Sequence, residues 1–287
     1  MPFTEHLAEL RTRLKWSVVA VMVSTVIAYI FKEQLFALMA KPFVLAWREM
    51  REPAHLPPLE IVWTNPIDSV TVYLKLALLA GVFGASPVIF HQLWKFISPG
   101  LYKRERRMAL PFIVASVILF FGGAVFAYKF VLPAGFKFFL SFANNQMGEM
   151  RDFFGRQVDV KLTDAFTLRP LITLDEYFGL TSTLLLIFGA TFELPLLLAV
   201  LAIIGIVTPR GLWRFNRYAI LIAFILGAVL TPGDLVVGQI AMGGSLTVLY
   251  NLSILVALIV GRNRRKRREA ELAAEREEEA RAAASGD

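Results

Sequence analysis

The chain contains no cysteine among its 287 residues, which excludes disulfides, thiol catalysis and cysteine-based metal sites. Its three histidines, His6, His55 and His91, lie far apart in the sequence and form no local set of metal ligands. A phosphate-binding loop of the GxxxxGK[ST] type is also absent, so the chain itself carries no motif for an ATP motor. We therefore expect no cofactor, no metal and no catalytic residues, and a protein that is not an enzyme.

The sequence is rich instead in apolar residues that fall in long blocks. Hydrophobic residues make up 56% of the chain and aromatic residues 13%, with a mean hydropathy of +0.59. This is too apolar for a soluble domain, and it predicts an all-α integral membrane protein. The formal net charge of +7 indicates orientation in the membrane more than a nucleic-acid partner, and none is expected.

Six hydrophobic stretches predict six transmembrane helices. They run over Trp16–Leu38, Val70–Phe90, Met108–Phe130, Tyr177–Ile204, Tyr218–Leu230 and Val237–Val260. The fifth is short for a full crossing, which needs about 20 residues. Prolines inside the predicted spans, Pro87, Pro111 and Pro195, favour a kinked bundle with an exposed concave face.

An even number of spans places both termini on one side, and Lys and Arg are concentrated on that side. The positive-inside rule makes that side the cytoplasm. The first helix is predicted to be retained, because the first 14 residues are amphipathic and lack a cleavage site. We predict a six-span domain over residues 1–260 and a charged cytoplasmic tail, frayed or disordered, over residues 261–287.

One carboxylate, Glu193, lies midway along the fourth apolar stretch, in Phe188-Gly-Ala-Thr-Phe-Glu-Leu-Pro195. An acidic residue at the centre of a membrane helix costs about 2.5–3.5 kcal/mol on insertion scales. A chain that keeps one there needs a partner group, a water-filled cavity or a protonated state. Glu193 is therefore a candidate functional residue.

Two further carboxylates lie in predicted cytoplasmic segments. Glu9 follows the plausible N-cap Thr4 and forms an i,i+4 pair with Arg13, which is also what a plain amphipathic surface helix would show. Glu105 begins a helix after the Ser98-Pro-Gly100 turn, where a local ion pair is the simplest interpretation. The functional alternatives are that Glu9 is part of a binding surface for a basic ligand, and that Glu105 accepts guanidinium groups with Phe96 as an apolar or stacking wall.

Four stretches in order resemble the TatC family, the multispanning receptor subunit of the twin-arginine protein translocase. They are His6-Leu-Ala-Glu-Leu-Arg-Thr-Arg-Leu14, Phe96-Ile-Ser-Pro-Gly-Leu-Tyr-Lys-Arg-Glu-Arg-Arg107, Phe188–Pro195 and Thr231-Pro-Gly-Asp234. The resemblance covers nearly all of residues 3–260. It implies a receptor in the bacterial inner membrane that binds twin-arginine signal peptides of folded cargo and exports the cargo on the proton-motive force.

The resemblance also implies roles for single residues. Glu9, Phe96 and Glu105 match the cytoplasmic surface that recognises the twin-arginine motif. Glu193 matches a position that faces a concave intramembrane surface, and Thr231 lies where the single-span subunits TatA and TatB dock. The expected partners are therefore signal peptides, these small subunits, membrane lipids and further copies of the chain in a larger complex.

Three positions carry weaker expectations. Asp234 is a candidate docking residue or simply a turn residue. Pro42, in Ala40-Lys-Pro-Phe43, matches a family position in the first external loop that is implicated in assembly. Asp68 is a second candidate for that loop and stands where the family commonly shows Glu.

A different class of function has to be weighed beside the resemblance. Intramembrane acids often couple ions to transport, so a proton- or ion-coupled secondary transporter with Glu193 as the coupling residue is the alternative. The sequence shows no inverted repeat and no paired broken helices, which that class usually has.

Overall fold

A computed structural model of the chain describes residues 3–51, 59–62, 64–97, 109–141, 172–204, 206–230, 239–240 and 242–258. These residues are almost all helical. The helices are α1 Phe3–Ile30, α2 Lys32–Arg51, α3 Asp68–Ile97, α4 Ala109–Phe126, α5 Leu132–Ser141, α6 Leu174–Phe192, α7 Leu194–Ile204, α8 Pro209–Leu230 and α9 Met242–Leu258. A π-helical turn, Ala127–Val131, joins α4 to α5. Two short strands, β1 Ile61–Val62 and β2 Ile172–Thr173, pair in parallel ahead of α3 and α6.

Four helical stretches of the described chain are long and apolar enough to cross a membrane. They are Leu7–Ile30, Asp68–Phe96, Leu110–Leu140 and Leu174–Ala202, and they correspond to the first four predicted spans. The fifth predicted span lies within α8, which is 22 residues long but begins with a basic stretch around Arg210 and Arg214. The sixth predicted span contains the shorter apolar helix α9. The count of six spans therefore stays a prediction.

The first predicted span, Trp16–Leu38, ends too late. Helix α1 stops at Ile30, Phe31 forms a turn, and α2 begins at Lys32. The hydrophobic window ran on because α2 is itself amphipathic. Its residues Leu35 and Phe36 pack against the protein core, so they extended the apolar stretch without extending the membrane helix.

The main core lies towards one end of the bundle, where the first half of α3, the end of α4 and most of α6 meet α2 and α5. Phe178 and Phe188 are its largest fully buried side chains. The α2 residues Phe43, Ala46 and Trp47 close this core from outside, and Phe43 contacts the rings of Phe136 and Tyr177. Trp47, in the first predicted external loop, is therefore packed into this core. We call this end of the bundle the Pro42 end.

The opposite end, which we call the Glu9 end, holds only small buried clusters. Trp94 of α3 packs with Val200 of α7 and with Phe112, while Leu212 of α8 packs with Ile254 of α9 and nearby residues. The positive-inside rule predicts that this end faces the cytoplasm, and the orientation stays a prediction.

Some pairs of helices approach closely because a glycine, which has no side chain, lies at the contact. A Cβ on Gly81 of α3 would lie 2.2 Å from Thr25 Oγ1 of α1, and one on Gly84 would lie 2.4 Å from Ser24 Oγ. A Cβ on Gly123 of α4 would lie 2.4 Å from the Phe188 carbonyl oxygen of α6. Small residues at such contacts are the usual basis of helix packing in membranes, where lipid removes the hydrophobic driving force.

Proline has different effects at its three predicted kink positions. Pro195 follows a helix break, because α6 ends at Phe192, Glu193 forms a turn and α7 starts at Leu194. Pro87 lies within α3, which continues without interruption. Pro111 is in the first turn of α4, where a missing N–H leaves no helical bond unmade. The predicted unwinding is confirmed only near Glu193.

Candidate functional site

The Glu9 end brings the start of α1 beside the end of α3. Glu9 Oε1 accepts a hydrogen bond from Arg13 Nη2 at 2.9 Å, and Arg13 Nη1 points to Gln92 Oε1 at 3.5 Å. Gln92 and Phe96 are four residues apart on α3 and therefore lie on one face of that helix. The structure thus places Glu9 and Phe96, two of the predicted recognition residues, at one end of one helix pair.

The third predicted recognition residue, Glu105, lies outside the described residues. Its distance to Glu9 therefore stays a prediction.

The ion pair with Arg13 determines which carboxylate oxygen of Glu9 is available to accept a hydrogen bond from a ligand. The ion pair uses Oε1, and within the described chain no hydrogen bond to Oε2 is found. Arg13 Nε is buried without a partner. An incoming guanidinium would therefore meet a carboxylate that is already oriented by Arg13 and still has one acceptor oxygen available.

Gln92 was missed in reading the sequence. It is a neutral polar residue near the end of a long apolar helix, one turn before Phe96, and that position was the available signal. The contact with Arg13 spans 79 residues, so only the packing of α1 against α3 reveals it.

Glu193 forms the turn between α6 and α7. Its backbone N–H bonds to the Ala190 carbonyl at 3.2 Å, and its own carbonyl accepts from Leu197 N–H at 2.9 Å. The half-buried side chain points to α4, where its carboxyl group lies against the Ser116 hydroxyl and the Phe120 backbone. Its Oε1 atom is buried without a hydrogen-bond partner.

This arrangement gives Glu193 a partner helix but leaves part of its hydrogen-bonding capacity unused. Buried polar atoms in native proteins are nearly always satisfied. The unused oxygen is therefore available to a further donor, such as a polar group on another helix.

The other two predicted docking residues, Thr231 and Asp234, lie outside the described residues. Two helices that flank them are joined by an amide pair that the sequence reading missed: Asn216 Nδ2 of α8 donates to Asn251 Oδ1 of α9 at 3.3 Å. Asn251 in turn donates to the Thr247 carbonyl at 2.9 Å. Asparagine within apolar helices was the signal, since such residues commonly bond across helices in membranes.

The two assembly-loop candidates both lie at the Pro42 end and both are buried. Pro42 is inside α2, next to the buried Phe43. Asp68 Oδ2 accepts three hydrogen bonds, from Thr64 N–H, from Thr64 Oγ1 and from Asn65 N–H, at 2.8–3.0 Å. These bonds fix the loop that leads into α3, so the observed contacts of Asp68 are with its own loop.

An apolar cavity of about 530 Å³ lies between α2, α3 and α4 near the Pro42 end. Its wall includes Leu38 and Met39 of α2, Phe83 of α3, and Tyr128 and Lys129 of the π-helical turn. The described residues contain no group of three or more acidic residues or histidines placed to hold a metal ion.

Comparison with known proteins gives consistent results. The family model described as "Sec-independent protein translocase protein (TatC)" matches residues 5–244. The TatC protein of Koribacter versatilis is 38% identical over 96% of this chain and 92% of its own length. The TatC protein of Aquifex aeolicus is 33% identical over 93% of this chain and 98% of its own.

The fold agrees with the sequence comparison. A crystal structure of the twin-arginine translocase receptor TatC superimposes with a TM-score of 0.68 at 32% identity, covering 89% of this chain and 99% of that one. A second crystal structure of the receptor, in the detergent DDM, gives a TM-score of 0.70.

Proposed function

The chain belongs to the TatC family of Sec-independent protein translocase proteins, and on this premise we propose that it is the signal-peptide receptor of a twin-arginine translocase. Family membership makes it a multi-pass inner-membrane component of twin-arginine protein transport that acts with other subunits of that system. The proposal adds the binding of twin-arginine signal peptides at the cytoplasmic face through Glu9, Phe96 and Glu105.

The observation that carries the proposal is that Arg13 donates both to Glu9 and to Gln92, one turn before Phe96 on α3. A twin-arginine ligand needs carboxylates in fixed positions, because the guanidinium group is planar and binds a carboxylate through two parallel hydrogen bonds. Arg13 holds Glu9 in one position near the start of α1. Phe96, one turn beyond Gln92, supplies an apolar surface on the neighbouring helix.

The intramembrane residues fit a later step in the same function. After recognition, the apolar part of the signal would enter the bilayer beside the fourth span, and the small single-span subunits would join. Glu193 supports docking because its Oε1 atom is buried and has no hydrogen-bond partner among the described residues. Thr231 and Asp234 belong to this proposal as docking residues, and the proton-motive force as its energy source.

The recognition step can be tested by photo-crosslinking a twin-arginine signal peptide to the translocase complex in membrane vesicles. Losing a charge-assisted hydrogen bond, worth about 1.5–3 kcal/mol, predicts about 10- to 100-fold weaker binding for Glu9→Gln and for Glu105→Gln. Glu33→Gln is the matched control, since Glu33 is an exposed carboxylate at the start of α2. Undiminished crosslinking to both recognition variants would refute the assignment.

The predicted orientation, with the N-terminus in the cytoplasm, can be tested in intact cells. Because the chain has no cysteine, a single introduced cysteine gives a background-free label. A membrane-impermeant maleimide added outside intact cells should label Glu60→Cys and should leave Leu7→Cys unlabelled until the membrane is opened. Labelling of Leu7→Cys from outside would reverse the orientation.

A further inference from the structure

Pro42 leaves one carbonyl of α2 without its helical donor. In an α-helix the N–H of each residue bonds to the carbonyl four residues earlier, and proline has no N–H. The carbonyl affected is that of Leu38. It lies in the wall of the apolar cavity, where few other polar groups are available.

A tyrosine on another helix supplies the missing donor. Tyr128 Oη donates to the Leu38 carbonyl at 2.7 Å, across 90 residues of sequence. Tyr128 belongs to the π-helical turn between α4 and α5, a kind of distortion that often occurs at functional positions. The turn places the hydroxyl at the end of the third predicted span, beside α2 one turn before Pro42.

The next carbonyl along α2 provides an internal comparison. Met39 accepts a hydrogen bond from Tyr177 Oη at 2.6 Å. Its helical donor would be the N–H of Phe43, which is present. Two neighbouring carbonyls thus accept from two tyrosines, but only the Leu38 carbonyl has lost its helical donor to a proline.

We propose that Tyr128 is a positioning residue for the first external segment: its hydroxyl replaces the N–H that Pro42 lacks and so holds α2 against the end of the third span. The proposal rests on the assembly role that the family resemblance implies for Pro42, and it assigns the means by which that role is exerted. Pro42 removes the helical donor of the Leu38 carbonyl, and Tyr128 fixes where α2 lies.

Substitution of Pro42 should remove the need for Tyr128. In Pro42→Ala the alanine N–H can bond to the Leu38 carbonyl, so the tyrosine hydroxyl becomes dispensable. Tyr128→Phe keeps the ring and deletes only the hydroxyl. The two changes should therefore be strongly non-additive, which packing alone would not produce.

The experiment is a double-mutant cycle on the full chain purified in mild detergent. Tyr128→Phe should lower the melting temperature by about 2–4 °C in the wild-type background, as expected for one orphaned carbonyl in a chain of this size. In the Pro42→Ala background the same change should cost less than half as much. Tyr177→Phe is the matched control and should cost the same in both backgrounds, since Phe43 keeps its N–H throughout.

A second measurement separates positioning from general stability. The fraction of single-span subunits that copurifies, measured well below every melting temperature, should fall about two- to fivefold for Tyr128→Phe and stay at the wild-type level for Tyr177→Phe. Two results would overturn the proposal. In the first, Tyr128→Phe lowers the melting temperature equally in the wild-type and Pro42→Ala backgrounds; in the second, both tyrosine variants lose the single-span subunits equally. Absence of copurifying subunits from the wild-type chain would overturn the proposed assembly function instead, and the thermal cycle would still be readable.

Discussion

The two ends of the bundle are built differently. The Pro42 end holds the main core, in which Phe178 and Phe188 are fully buried and α2 closes the structure from outside. The Glu9 end has small clusters and polar contacts such as Arg13 with Glu9. This difference indicates that stability is concentrated at the Pro42 end, while the described part of the Glu9 end holds the polar contacts on which the proposed recognition depends.

The largest effect on this difference between the two ends is expected from a substitution in the core. Phe178→Ala should reduce the free energy of unfolding by about 3–5 kcal/mol, because the side chain is fully buried at the Pro42 end. Thermal unfolding in detergent measures this. Phe130→Ala is the matched control, since Phe130 is 63% exposed and should change stability little. A small effect of Phe178→Ala would mean that the core is not where stability resides.

The contact between α1 and α3 should affect both stability and recognition, because α1 also carries Glu9. Gly81→Ala should cost about 1–3 kcal/mol, since its Cβ would meet Thr25 side-chain and backbone atoms at 2.2–2.9 Å. The shift of α1 should also weaken twin-arginine peptide crosslinking. Gly122→Ala is the control, because a Cβ there has no neighbour within 4 Å. Normal crosslinking to a destabilised Gly81→Ala protein would show that α1 need not be fixed for recognition.

A milder change should affect recognition alone. Gln92→Leu removes the acceptor for Arg13 and should weaken peptide binding about two- to fivefold, as for a net hydrogen bond of about 0.5–1 kcal/mol. Gln92→Glu keeps an acceptor and should bind at least as well as wild type. Titration of the peptide against each variant measures this, with the melting temperature as the check that folding is unchanged. A loss of stability in Gln92→Leu would show that contacts at the Glu9 end also contribute to stability.

The smallest effect is expected from the exposed ion pair at the Pro42 end. Lys75 Nζ lies 2.6 Å from Asp175 Oδ1, and both side chains are more than 40% exposed. Lys75→Met should change the free energy of unfolding by about 0–1 kcal/mol, and the change should shrink further as salt is raised. Thermal unfolding at low and high salt tests this. A large, salt-independent loss of stability would show that this ion pair contributes substantially to the stability of the Pro42 end.

Much of the membrane architecture could be predicted from the sequence, because lipid imposes long apolar helices whose length is readable. The second to fourth predicted spans each coincide with an apolar helix that is long enough to cross. The break at Glu193 followed from Pro195. The end of the first span could not be read, because the amphipathic α2 begins directly after Phe31 and continues the apolar pattern.

The contacts between distant residues were not predictable. Arg13 with Gln92 and Tyr128 with Leu38 join residues 79 and 90 positions apart, and both depend on how helices pack. The π-helical turn that places Tyr128 has no signature in the local sequence that we can identify. Motifs indicated which residues matter, whereas packing determines what they touch.

The most direct test of the central claim compares the two ends for contact with the signal. A photo-crosslinking side chain is placed at Leu93, an exposed position one turn from Phe96, or at Leu38, an equally exposed leucine at the Pro42 end. A twin-arginine signal peptide added to vesicles with the complete translocase should form an adduct at position 93 and none at position 38. A twin-lysine peptide should lose the adduct. Equal adducts at both positions, or an adduct that ignores the change to lysine, would contradict the account.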